Sequence, residues 1–282
     1  LGFTDRPHLL AVEQFMQQYY RHTMGLHVAL MRFVERCRRR SLWQRLVRWL
    51  PSPRIQQYFV MDGEALTVPV ELRSQVLVQP TLLLTLFNLA RSRQLSIDPS
   101  LLEDIHRHAE TLSVEQFHTP EAGRTFLSIL AGPGTARTLE AMHRAHLLEK
   151  LVPAFSRVRG LMQFNQYHKY TVDEHSLLAV AKAETLADHT GVLGEVYREI
   201  KRKDLLHLAL LLHDLGKGHE EDHSEVGKRL AEEMAARLGF DEPDTRTLVM
   251  LVHRHLLMAH TAFRRDPYDE KVLLPFAREV GT

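Results

Sequence analysis

The run LLHLALLLHDLGKG, residues 205 to 218, constrains the fold of this chain more than any other stretch. It is apolar almost all round, so as a helix it belongs in a core. Yet it carries His213 and Asp214, side by side, to its carboxy-terminal end. Burying ionisable groups is costly unless they are paired or ligate a metal. Whatever packs around this helix must therefore bring partners for an imidazole and a carboxylate.

The packing partners are themselves helices. Residues 8–50 read as long amphipathic helices stopped by Pro51 and Pro53, and helical spacing resumes over 79–93, 99–112, 120–131, 136–149 and 154–164. Pro99, Pro120 and Pro153 stand where first-turn prolines belong. One exception interrupts the pattern: YFVMDGEALTV (58–68) places two short β-prone runs around Asp62-Gly63, a hairpin signal. Farther on, Thr171-Val-Asp-Glu174 reads as a capping box opening a helix to about 188, and a further helix covers 202–215 with Gly216 as its stop. Asp222 and Asp241-Glu-Pro243 open two more. The expected class is all-α, with a mild boundary at Pro153 separating a helical module carrying the hairpin (1–152) from a histidine-rich helical module (153–282).

Composition narrows the function. A net charge of +1 gives no basic excess for an obligatory nucleic-acid partner, and Cys37, the one cysteine, excludes an internal disulfide framework and thiolate zinc sites. No signal peptide or membrane span is legible, which suits a cytoplasmic protein; opening on Leu1, the chain reads as a piece of a longer one. The 18 histidines cluster late, and they ask for a metal.

Neighbouring helical residues point about 100° apart, so His213 and Asp214 can reach one ion at their shared edge, and a carboxylate can bridge two. Other helices must complete the set. The candidate ligands are His175, His213, Asp214, His223, His255 and Asp266, with His253 and His260 competing for the last place of the imidazoles. Such a set suits Mn, Mg, Fe or Zn without choosing among them, as one ion or two. His207 faces another side of its helix and reads as structural. HEEDH (219–223) matches the HExxH of zinc proteases, but flanking glycines and a helix-opening Asp222 make it a loop. The basic segment ERCRRRSLWQRLVRWL (35–50) reads as a solvated helix face whose tryptophans pack on a neighbouring domain, and AGPGTAR (131–137) as a turn.

The order His…His-Asp…Asp is the signature of the HD phosphohydrolase superfamily, and the resemblance extends further. MQFNQYHKYTVDEHSLL, LLLHDLGKG, DHSEVG and LVHRHLLMAHTAFRRDPYDE resemble the HD domain of the bifunctional uridylyltransferase/uridylyl-removing enzymes, which modify the PII nitrogen signalling protein. LGFTDRPHLLAVEQFMQQYYRHTM resembles the segment after their nucleotidyltransferase core, and RTLEAMHRAHLLEKLVPAFSRVRGLMQF their approach to the HD domain. The resemblance implies an HD helical bundle preceded by a linker module, and metal-dependent hydrolysis removing UMP from uridylylated PII. Its implied partners are PII and the nucleotidyltransferase and ACT domains, whose motifs this sequence lacks. In that scheme His175, His213, Asp214 and Asp266 hold a first ion, and Asp214 bridges to a second on His223 and His255. Lys217 is catalytic beside Asp214, and Lys217 and Arg265, with Arg264, bind phosphate. Arg254 stands where the family pattern has a histidine before His255. The competing expectations are an HD phosphohydrolase of free nucleotides and a non-catalytic regulatory module.

Overall fold

The computed structural model describes residues 2–6, 9–38, 54–163, 170–264 and 269–281. Helix α1 (Ala11–Arg38) accounts for the start of the expected 8–50 helical run; residues 39–53, with both tryptophans, lie outside the described residues. The hairpin forms as strands β2 (Phe59–Asp62) and β3 (Ala65–Thr67), paired antiparallel with Asp62 opposite Ala65. The tight turn falls on Gly63-Glu64, where Gly63 takes a left-handed φ of 65°. Two further strands complete a four-stranded sheet in the order β1-β2-β3-β4: β1 (Arg54–Gln56) beside β2, and β4 (Ser96–Ile97) parallel to β3. At three and two residues these are too short to leave an alternation in the sequence.

Helices α2 (Val70–Leu77), α3 (Pro80–Ser92), α4 (Pro99–Ala109) and α5 (Pro120–Ala131) follow, the last three each starting on a proline. The expected helix over 136–149 is two: α6 (Thr135–Arg144) and α7 (Leu148–Leu151). His146 causes the break by entering the left-handed region at φ 59°. Next come α8 (Ala154–Val158), α9 (Val172–Thr185), α10 (Val192–Glu199), α11 (Lys203–Leu212) and α12 (His223–Leu238). Helices α13 (Glu242–His253), α14 (Leu257–Arg264) and α15 (Glu270–Val280) end the fold. Thr171 does occupy the N-cap position of α9, but its hydroxyl makes no cap bond. Asp222 and Asp241 cap as expected, accepting from Ser224 N and Glu225 N and from Asp244 N respectively.

One hydrophobic core runs through the molecule from Phe59 to Val252, with Phe87, Phe126 and Phe155 fully buried along it. Helix α5 lies at its centre, packed on α3 and on α11, so the core crosses residues 152 and 153 without interruption. Helix α11 is thereby held between α5, α9 and α13. Its apolar length explains its place, and its polar end marks where the packing opens.

Candidate metal centre

Leu211 and Leu212 are fully buried, and just beyond them the chain leaves the helix and turns through His213 to Gly218. The turn is tight because Gly216 lies against the first residues of α12. A Cβ on Gly216 would lie 2.0 Å from His223 O and 3.0 Å from Gly227 N. Gly216 is therefore a close-approach glycine and not the left-handed helix stop the sequence suggested; the left-handed residue is Gly218, at φ 78°. Gly216→Ala is expected to push α12 from the turn, costing about 1–3 kcal/mol as overpacking does. Urea unfolding checks it, and Mn2+ affinity should fall with it.

That turn brings Asp214, 4% exposed, into the middle of four imidazoles. His213 Nε2 lies 3.3 Å and His175 Nε2 3.6 Å from Asp214 Oδ2, while His255 Nε2 lies 3.7 Å from Oδ1. The rings follow one another, with centroids 5.2 Å apart for His175 and His213, 5.3 Å for His213 and His255, and 5.7 Å for His223 and His255. Two groups of ligand atoms, each within 4.8 Å of one another, share the aspartate: His175, His213 and Asp214, and Asp214, His223 and His255. Helices α9 and α12 and the turns that follow α11 and α13 each contribute to the ring. Asp266 and Arg265 lie outside the described residues.

The rings are oriented for a cation. His213 Nδ1 donates to Leu210 O at 2.7 Å, and His255 Nδ1 to Val252 O at 2.8 Å. A carbonyl only accepts, so Nδ1 of each ring carries a proton and Nε2 is the nitrogen turned toward the carboxylate. His255 Nε2 is buried with no hydrogen-bond partner. Burial pushes the His255 imidazolium below its ordinary value, which favours the neutral ring that a metal needs. Burial by itself would push the Asp214 carboxyl up. Its contacts with His213 and with the ammonium of Lys217 instead hold it far below the usual carboxylate range. Protonating every imidazole would crowd like charges together, whereas one or two divalent ions satisfy the lone pairs and the carboxylate at once. The donor set fits such an ion.

Lys217, 8% exposed, places Nζ 2.8 Å from Asp214 Oδ2. It thus points into the centre, not along the helix dipole as a surface lysine would. His207 has both ring nitrogens occupied, by Tyr197 OH at 3.0 Å and Leu130 O at 2.7 Å, which fits its reading as structural. His253 pairs with Glu225 at 2.9 Å, so His255 is the imidazole of its helix end that joins Asp214. HEEDH begins in a turn and places only His223 in a helix. Arg254 pairs with Glu279. Sequence reasoning missed Asp173, a fully buried carboxylate two residues before His175; a charged residue on the apolar side of α9 was the available signal.

Residues 172–280 match the HD domain, and the helical ring around Asp214 lies within the matched residues. The whole chain is similar to bifunctional uridylyltransferase/uridylyl-removing enzymes. It is 34% identical over 291 residues to that of Azospirillum brasilense, covering 99% of this chain and 31% of the relative. To that of Erythrobacter litoralis it is 33% identical over 293 residues, with coverage of 99% and 31%. The chain spans about a third of the length of the curated relatives it matches. Among the described residues no helix is long and apolar enough to cross a membrane.

Proposed function

We propose that this chain removes a uridylyl group from a protein tyrosine, with uridylylated PII as substrate, by metal-dependent phosphodiester hydrolysis. The observation that carries the reading is the buried Asp214 carboxylate shared by two histidine groups, with His255 Nε2 buried beside it without a hydrogen bond. His175, His213 and Asp214 would hold one ion, joined by Asp266, and Asp214, His223 and His255 a second. A divalent ion there supplies Lewis acidity toward the phosphoryl oxygens and lowers the pKa of water.

The protein's own groups do the rest. His213 and His255 are pinned by backbone carbonyls, so their nitrogens need no reorganisation on binding. Lys217 offers an ammonium that can turn from Asp214 to a phosphate oxygen, a gain as negative charge accumulates there. In the reaction water adds to phosphorus and the bond from phosphorus to the tyrosine oxygen breaks. UMP and tyrosine result, the phenolate taking up the proton that water released. With a leaving-group pKa near 10, departure needs little help from a general acid. We also read 1–152 as a linker module and 153–282 as the HD unit, functioning together because they share one core, within a longer chain bearing nucleotidyltransferase and ACT domains. The setting we propose is the cytoplasm.

The test offers uridylylated PII and a panel of free nucleotides to the chain with Mn2+. Release of UMP and restored unmodified PII, abolished by chelator, is expected. Turnover of free nucleotides with PII-UMP untouched would favour a nucleotide phosphohydrolase. Metal binding without turnover of any of them would favour a regulatory module.

A further inference from the structure

Outside the ring of ligands, the most heavily buried ionic group in the described residues joins the two modules. Asp173 is 0% exposed, His143 1% and Glu149 8%. His143 Nε2 lies 3.2 Å from Asp173 Oδ2 and its Nδ1 2.9 Å from Glu149 Oε1, with Arg159 Nη1 3.2 Å from the same Nδ1, so a carboxylate faces each ring nitrogen. Arg159 also pairs with Glu149 and donates to His143 O at 3.0 Å, while Gly160 N donates to Asp173 Oδ2 at 3.0 Å. His143 and Glu149 belong to α6 and α7, before residue 152; Asp173 belongs to the first turn of α9. The same strap of chain reaches the metal centre by a second route, since Arg157 donates to Gly218 O at 3.1 Å. From the other side α1 grips the strap, Gln17 donating to the carbonyls of Arg157 and Arg159 at 3.1 and 3.2 Å.

Residues two apart on a helix point about 200° apart. Asp173 therefore anchors one side of the first turn of α9 in the helical module, and His175 emerges from the opposite side toward Asp214. We propose that Asp173, gripped by His143 and Gly160, is a positioning residue for the metal centre: it fixes the start and rotation of α9, and so where His175 is presented. The inference rests on reading the His-Asp ring as a metal site. An apolar anchor would hold the helix in place but would leave its rotation to packing alone; two hydrogen bonds to one carboxylate oxygen fix both.

The experiment is calorimetric titration of the chelator-stripped chain with Mn2+, comparing wild type with Asp173→Asn, His143→Gln and Leu139→Ala. Leu139 is fully buried on the same helix as His143, so its truncation reports loss of stability alone. Asp173→Asn and His143→Gln are expected to weaken Mn2+ binding about 10–100-fold, the usual cost of losing an outer support of a metal ligand. Leu139→Ala should leave affinity within about twofold of wild type, as a purely global effect would. Unchanged affinity in the first two variants, or an equal loss in all three, overturns the proposal. If Asp173→Asn does not fold, His143→Gln carries the same comparison. Wild-type protein that binds no Mn2+ removes the metal reading itself, a distinct failure.

Discussion

Asp214→Ala is expected to lose metal binding and hydrolysis together, and to destabilise the metal-free fold by about 3–5 kcal/mol, the range for breaking a buried ion pair. The first loss follows because both histidine groups share this carboxylate. The second follows from Lys217, which is almost wholly buried and whose Nζ lies 2.8 Å from Asp214 Oδ2. Removing one member leaves the other charge in the interior without its carboxylate. Adding Lys217→Met to Asp214→Ala should restore part of the stability, because the buried ammonium deprived of this carboxylate goes, and none of the metal binding. Urea unfolding in chelator and Mn2+ titration separate the two effects. A stable Asp214→Ala protein that still binds metal would put both the ion pair and the site in the wrong place.

The second large effect lies at His143. Its replacement by glutamine leaves Asp173 facing a neutral group and Glu149 with Arg159 alone, again at a cost of about 3–5 kcal/mol, a large share of the few to fifteen kcal/mol that hold an ordinary domain together. Burial alone would push the imidazolium of His143 down, but its hydrogen bonds to Asp173 and Glu149 raise it above the ordinary 6.5. That contribution is complete below pH 6.5 and is lost as pH rises through the folded value. Glu149 and Asp173, whose pKa values burial would raise but His143 depresses, act in the opposite sense. Their contributions are present above the ordinary 4.5 and 3.8 and are lost on acidification. His146, pushed down to about 4 by burial and Arg159, subtracts stability as pH falls below 6.5. Stability of the metal-free protein should thus peak near pH 6.5 and decline on the alkaline side. In His143→Gln the alkaline decline should vanish, and the acid limb should shrink to what His146 and the remaining contacts of Glu149 and Asp173 supply. An alkaline limb of equal slope in the variant would show that His143 is neutral in the fold.

Much of the site was legible because the physics is local. An apolar helix ending in His213-Asp214 demanded partners, and Asp222 announced the helix that delivers His223. The helix breaks were harder. Helical spacing continues straight through His146, and only the left-handed backbone of a residue with a side chain ends α6 there. Gly216 was read as a stop signal, since sequence cannot distinguish a glycine that turns from one that lets another backbone approach. Asp173 was hidden for a similar reason. In Thr171-Val-Asp-Glu174 it sat inside a pattern that explained Thr171 and Glu174 as caps, and its partners His143 and Gly160 come from chain 13 to 30 residues earlier. The four-stranded sheet was half visible, because the hairpin carries a turn signal and its flanking strands do not.

The central claim is that the leucine-rich helix carries His213 and Asp214 inward to hold a metal. Elemental analysis of the chain purified without chelator, beside His213→Ala, tests it most directly. One or two equivalents of a divalent metal per chain in wild type, lost in the variant, is the predicted result. A folded wild-type chain that carries no metal and takes up none when Mn, Fe or Zn is supplied would contradict it.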